Sequence, residues 1–477
     1  MPATETASGH RLRITLLIAG SCLPILGAVL IAPVLPKMRD HFADVPGADA
    51  LVPMALTVPA LSLALLAPFA GVVVDRLGRK RLLVIATVLY AFLGTAPLWL
   101  DSLGAIVASR ALVGVVEAAI MTCCTTLIGD YYAGRQRDRY LALQTMCASI
   151  SATAFFVLGG AAGAAGWRAP FWAYAVTLLL APAMAAFLPQ PRSTGKVSSP
   201  EAERRPFPWR PLAGTCALTV FGAVLFYTVQ VEMAFLLDDM GVEDSGTIGL
   251  AIAASSAATV LGAGVFTKTG LGPESLCHLP GRISARRLVR AIARRRSALD
   301  GGAPARVGEA GSSVGEEPRG RFGNAAGGPP SGGVRARRRA PGRGGDTGSE
   351  AWLPGVFALC GLGFAVIWLA SDPVVLTLGA VISCFGGGIM LPSLLTLAMS
   401  RLDYADRGRG TGLWTGSFFI GQFICPLVVL ALTAAVGTLA DAMGVLAAAG
   451  ALGAAGLGLS ARRRRPVAAP EPVSGRP

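Results

Sequence analysis

The chain has 477 residues, of which 53% are hydrophobic and only 15% charged, with a mean hydropathy of +0.58. Soluble domains carry about 25% charge, so a water-soluble globular protein is excluded and a membrane protein is indicated. The net charge of +14 therefore bears on sidedness in a bilayer. No CxxC, HExxH or paired Cys/His spacing occurs, which argues against a structural metal or a disulfide framework.

In chain order, twelve apolar runs mark candidate spans: 14–36, 51–74, 82–100, 105–128, 141–163, 170–188, 212–237, 248–266, 353–370, 374–399, 410–436 and 438–459. About 20 apolar residues cross a bilayer as a helix, and a spanning segment must satisfy its own backbone hydrogen bonds. The expected fold is thus an all-α membrane protein with twelve transmembrane helices. The first run is too long for a signal peptide and lacks a small-x-small cleavage site. Prolines at 24, 33, 59, 68, 392 and 426 are tolerated as kinks in a packed membrane bundle.

Basic residues set the orientation. Lys37, Arg39 and Arg168 lie in the loops after odd-numbered runs and Arg110 inside the fourth, while the other 38 of 42 lie at the termini and in the alternate loops. Both termini are therefore expected on the cytoplasmic side. Asp238, Asp239, Glu243 and Asp244 follow the seventh run on the opposite side.

Residues 1–189 and 211–461 each hold six runs, joined by a polar linker at 190–210, with a basic tail at 462–477. A weak internal echo, Arg137-Asp-Arg139 against Arg407-Gly-Arg409 at an offset of 270 residues, fits a duplicated six-helix unit. The second half is interrupted: 211–267 and 351–461 flank an 83-residue insert, 268–350. It holds 18 Gly, 7 Pro and 15 Arg, and 16 basic against 7 acidic residues, so it supplies nine of the fourteen net charges. That composition cannot bury enough apolar surface to offset chain entropy, so no stable fold is expected there. Three readings fit it: an Arg-rich cytoplasmic arm for anionic lipid or nucleic acid, a disordered spacer, or out-of-frame translation of GC-rich DNA.

The strongest local signal lies between the second and third runs: Gly71-Val-Val-Val-Asp75-Arg76-Leu-Gly78-Arg79-Lys80. Gly71 permits close helix approach and Gly78 a tight turn. Asp75 can accept hydrogen bonds at a helix N-terminus, and Arg79 and Lys80 suit the anionic inner leaflet. In the fourth run Arg110-Ala-Leu-Val-Gly114 is followed by Glu117, seven residues on and on the same helical face. Buried ionisable groups in membranes are costly and mark function. Arg110 and Glu117 are the first candidates for proton coupling, with Glu232 in the seventh run as a further one. The alternative is a structural Arg–Glu pair. Tyr227 and Gln230 in the seventh run, Gln144 in the fifth and Gln422 in the eleventh are candidate cavity residues, or ordinary inter-helix hydrogen-bonding groups.

The loop resembles motif A of the major facilitator superfamily at every position of its pattern, and Arg110-x-x-x-Gly114 resembles that family's motif B. Twelve spans, a central linker and shared-side termini also fit. Within the superfamily the chain is most similar to bacterial twelve-span drug:proton antiporter-type exporters. The resemblance implies two six-helix bundles around a central cavity, a rocker-switch exchange of access, a conformational latch at Gly71, Asp75, Arg76, Gly78, Arg79 and Lys80, and proton coupling at the motif B arginine. Two departures stand out. Phe155-Phe156 replaces the Gly-Pro of the antiporter motif before Gly159-Gly160, leaving export and uptake both open. The second motif A is missing where the insert lies.

The sequence thus points to a secondary transporter of a small organic molecule in the plasma membrane, acting as a monomer with protons as partner. No cofactor, metal or nucleic-acid partner is expected, and no enzyme constellation is present. No GxxxxGK[ST] loop for ATP occurs. The competing readings are a proton symporter of an organic acid or sugar, and a non-transporting sensor or scaffold built on the Arg-rich loop.

Overall fold

The computed structural model describes residues 7–67, 69, 78–190, 209–268, 349–400, 402 and 406–463. Gly71, Asp75 and Arg76, residues 269–348 of the insert, most of the linker and the end of the tail lie outside the described residues. The described residues belong to one compact unit, Met1–Gly272 with Gly345–Pro477.

Among the described residues, twelve helical segments follow one another: α1 His10–His41, α2 Ala48–Leu66, α3 Arg79–Leu98, α4 Leu103–Tyr131, α5 Gly134–Gly163, α6 Ala169–Phe187, α7 Leu212–Asp239, α8 Ser245–Thr267, α9 Ser349–Trp368, α10 Pro373–Ser400, α11 Arg409–Val436 and α12 Leu439–Ser460. Among the described residues, eleven are long and apolar enough to cross a membrane, and α9 contributes a shorter apolar stretch, Trp352–Trp368. All are helical because exposed backbone amides have no partner in hydrocarbon. The helices overrun the apolar runs: α5 starts at Gly134 rather than Leu141, so Arg135, Arg137 and Arg139 are helical. Apolar length reflects the hydrocarbon layer, whereas the i→i−4 ladder continues into the polar interface. Two segments are irregular. α1 passes through a 3-10 turn at Ala32–Val34, with Pro33 in it, and α6 contains 3-10 turns at Ala169–Trp172 and Thr177–Leu179.

Helix contacts repeat with a period of six. α2 packs on α4, α3 on α4, α1 on α4, α1 on α5 and α3 on α6; their mates are α8 on α10, α9 on α10, α7 on α10, α7 on α11 and α9 on α12. The expected duplication is present as this packing pattern, although its letters have nearly vanished. The halves meet along two further mated pairs, α5 with α8 and α2 with α11. Without a hydrophobic drive between helices in lipid, close backbone approach supplies the contact. At the α5–α8 seam a Cβ on Gly249 would stand 2.7 Å from the Phe156 carbonyl oxygen and 2.9 Å from Gly160 Cα. Only glycine fits there.

Candidate functional site

Arg110 and Glu117 are 0% and 1% exposed. The seven-residue spacing does place both on one face of α4, but that face looks into the N-terminal bundle. Arg110 Nη2 donates to the Gly27 carbonyl of α1 (2.6 Å), Nη1 to the Tyr174 hydroxyl of α6 (2.8 Å), and Nε to the Ala55 carbonyl of α2 (3.2 Å). Its guanidinium carbon also sits 5.3 Å from the Tyr174 ring centroid. Tyr90 of α3 lies beside Tyr174, with centroids 5.2 Å apart, and donates to the Leu23 carbonyl of α1. One arginine thus ties together α1, α2, α4 and α6.

Glu117 Oε1 abuts Gly27, so closely that any side chain at Gly27 would overlap it. That oxygen is buried and has no hydrogen-bond partner. No Arg110–Glu117 ion pair within 4 Å is present: the guanidinium has given its donors to neutral acceptors, and the peptide at Gly27 touches both groups. The pair does not line the cavity between the halves, and it is not a direct salt bridge. Periodicity fixes the shared face but not which neighbour the face meets. Tyr90 and Tyr174 were missed by sequence reasoning; two of only seven tyrosines in otherwise apolar runs were the available signal, since a buried hydroxyl needs a partner.

The other candidates fall in separate places. Tyr227 and Gln230 line a cavity of about 240 Å³ between the halves, with Ile25, Thr145, Ser149 and Ser256. Tyr227 stands 5.4 Å from the Phe418 ring, itself stacked 5.9 Å from Trp414. No charged side chain lines that cavity. Gln144 donates to the Ser21 (2.8 Å) and Thr125 (3.1 Å) hydroxyls, stitching α5 to α1 and α4. Gln422 is 3% exposed with its Oε1 unpartnered. Glu232 is 5% exposed and faces a different cavity, at the end of the bundle away from the termini. Of the latch residues, Gly78 adopts φ +82° ahead of α3, a conformation suited to glycine, and Arg79 pairs with Asp130 at the end of α4.

At the end away from the termini the halves are fastened together. Arg39 Nη2 of α1 donates to Asp238 Oδ2 of α7 at 2.8 Å, with Arg39 lying 5.0 Å from the Phe235 ring centroid. Lys37 Nζ donates to the Gly163 carbonyl (3.1 Å), beside the glycine seam. The Thr247 hydroxyl and amide donate to Asp244 Oδ2 at 2.7 and 2.8 Å. They hold the Asp244 carboxyl below the usual carboxylate range and cap the start of α8. The basic and acidic residues had been read from sequence only as loop charges. Among the described residues, no His/Cys/Asp/Glu cluster could hold a metal ion.

A six-helix arrangement that occurs twice, with a buried arginine and carboxylate in α4 and an uncharged, mainly apolar cavity between the halves, defines a multi-pass membrane protein. The sequence model of the Major Facilitator Superfamily matches residues 17–277, and the chain belongs to that superfamily. The chain is 32% identical over 193 residues to the class C tetracycline resistance protein of Escherichia coli, covering 39% of this chain and 46% of that one. It is 27% identical over 251 residues to protein spinster homolog 3 of Danio rerio, covering 48% and 49%. The chain spans about half the length of these curated relatives. Crystal structures of a bacterial homolog of the human lysosomal transporter Spinster, in inward-facing unoccupied and occupied conformations, align over 96% of this chain and 96–98% of theirs, with TM-scores of 0.60 and 0.61 at 14% identity. That likeness speaks for the fold alone.

Proposed function

We propose that the protein is a proton-coupled secondary transporter that exports a small organic molecule across the plasma membrane by alternating access, with both termini in the cytoplasm. The observation that carries this is Glu117. Its Oε1 is buried with no donor facing it, pressed on the α1 backbone at Gly27, while Arg110 ties four helices of the same half together. A carboxylate accepts hydrogen bonds only, whereas the protonated acid brings its own donor. Taking up or losing a proton at Glu117 therefore changes what the α1 backbone and the arginine can bond to. Because α1 also carries Arg39 to the fastening at the far end, movement of α1 ties protonation to access.

The closed far end supports an inward-facing state in this orientation. The basic loops on the side of the termini support a cytoplasmic assignment. The uncharged cavity at Tyr227 and Gln230 supports a neutral or weakly polar substrate portion there, and gives an organic acid no counter-ion. The tetracycline resistance relative supports export. The latch at Gly71, Asp75, Arg76, Gly78, Arg79 and Lys80 completes the proposal as the cytoplasmic element that engages when the far end opens.

The test is flux in proteoliposomes under an imposed pH gradient, with a panel of organic substrates. Wild type should concentrate one of them against its gradient. Glu117→Gln, which holds the neutral shape, should lose uphill transport but keep exchange. Normal pH-driven accumulation by Glu117→Gln would sink the assignment.

A further inference from the structure

Tyr90 of α3 is fully buried and donates to the Leu23 carbonyl of α1, a bond its acceptor can spare. Leu23 stands four residues before Gly27 within α1, where the helical ladder already supplies its carbonyl with a partner; the tyrosine occupies the second lone pair. An acceptor with nothing lies close by. Around the point where a Gly27 Cβ would stand, the nearest heavy atoms are Glu117 Oε1, the Glu117 carboxyl carbon at 3.0 Å and Tyr90 Oη at 3.2 Å. Oε1 is buried without a partner, and Tyr90 is the donor nearest to that point. A torsional change in the Glu117 side chain is enough to bring the two oxygens together. The other ionisable groups facing Glu117 are Arg110 on its own helix and Tyr174 of α6. Arg110 is bonded to the Gly27 and Ala55 carbonyls and to the Tyr174 hydroxyl. From α1 and α2, the contacts of this cluster are the backbone carbonyls of Leu23, Gly27 and Ala55.

Leaving a buried acceptor unpaired is costly, most of all for an ionised one, and a bond from a hydroxyl to a carboxylate is among the stronger ones. We propose that Tyr90 is a positioning residue with two acceptors: its hydroxyl bonds the Leu23 carbonyl while Glu117 is protonated and turns to the Glu117 carboxylate once the proton has left to solvent. This rests on the reading of Glu117 as the proton-coupling carboxylate and adds the group that answers its charge. A phenol is a far weaker acid than a carboxylic acid, so the tyrosine keeps its own proton and moves only a hydrogen bond. Each state of Glu117 then has a distinct mechanical consequence. With Glu117 neutral, α3 is clipped to α1 at Leu23. With Glu117 ionised, the clip is released and α3 is tied to α4 instead, so α1 is freed from one of its two anchors in this cluster, the other being Arg110 at Gly27.

The experiment is an infrared pH titration of the full chain purified in detergent. The carbonyl band of protonated Glu117 is identified by its loss in Glu117→Gln. Tyr90→Phe keeps the ring and removes only the hydroxyl. It leaves the position of that band unchanged, because the neutral acid does not use Tyr90, and it strengthens proton binding at Glu117 at least about tenfold, a rise of about one pH unit in the midpoint. Thr87→Val removes another buried hydroxyl of α3, one bonded to the Leu83 carbonyl, and leaves the midpoint where it is. Wild type grown with ring-labelled tyrosine decides the question if Tyr90→Phe does not fold: a tyrosine C–O band shifts in step with the Glu117 titration and stays still in Glu117→Gln. A wild-type Glu117 band that does not titrate removes the proton-site reading and this proposal together. A titrating band with the same midpoint in Tyr90→Phe, an equal shift in Thr87→Val, or no tyrosine band moving with Glu117 overturns the role of Tyr90 and leaves the proton site standing.

Discussion

The glycine seam between α5 and α8 can be tested by one methyl group. In Gly249→Ala the new Cβ would lie 2.7 Å from the Phe156 carbonyl oxygen and 2.9 Å from Gly160 Cα. Non-bonded heavy atoms prefer about 3.5–4.0 Å, so the helices must part by roughly 0.7 Å or more. Both obstacles are backbone, and no side chain can swing aside. Overpacking of this kind costs about 1–3 kcal/mol. Under the alternating-access proposal the seam parts when the far end opens, so the cost falls on the closed state and shifts the balance towards the open one by about 5- to 150-fold. Ser245, buried at the same seam at 0% exposed, offers the reporter. In a Ser245→Cys background, alkylation by a membrane-impermeant maleimide added on the side away from the termini should be slow, and should speed up at least about fivefold on adding Gly249→Ala. An unchanged rate, with both proteins monodisperse, would show that α5–α8 contact does not close that end.

Arg110→Ala strands Glu117 and three acceptors in the bundle interior and should cost about 3–5 kcal/mol, read as a large fall in Tm or loss of monodisperse protein. Arg39→Gln should raise Ser245→Cys alkylation by less than Gly249→Ala does, because a solvent-accessible ion pair such as Arg39–Asp238, whose side chains are 30% and 19% exposed, contributes about 1 kcal/mol or less. Asp75→Asn should express normally yet impair flux, since the change lies in a loop but removes a charged acceptor from the latch; wild-type flux would dispose of the latch. The depressed Asp244 carboxyl stabilises the start of α8 above its ordinary pKa of about 3.9, and this contribution is lost as pH falls through the lowered value. Hydrogen exchange of the Gly246 to Ile248 amides should therefore stay slow from pH 7 down to about 4, and Thr247→Ala should raise it across that range.

The amino-acid sequence by itself determined that the chain is a run of apolar helices of membrane-crossing length, because hydrocarbon thickness and the cost of unpaired amides act on local composition. It also marked Arg110, Glu117 and Glu232, since ionisable groups in apolar runs stand out one residue at a time. The repeat of a six-helix unit was faint in the letters and plain in the packing: lipid-facing positions accept many apolar residues, while helix contacts must be kept. The tertiary structure alone decided the partners. Helical period places Glu117 on the face of Arg110, but only the crossing of α1 at Gly27 and of α6 at Tyr174 determines that the arginine bonds to a carbonyl and a phenol rather than to the glutamate. Likewise Arg39 and Asp238 are 199 residues apart and look like unrelated loop charges until α1 and α7 bring them together. Whether Glu232 faces lipid, a neighbouring helix or a cavity depends on α2 and α11 on either side of it, and no pattern within α7 encodes where those helices lie.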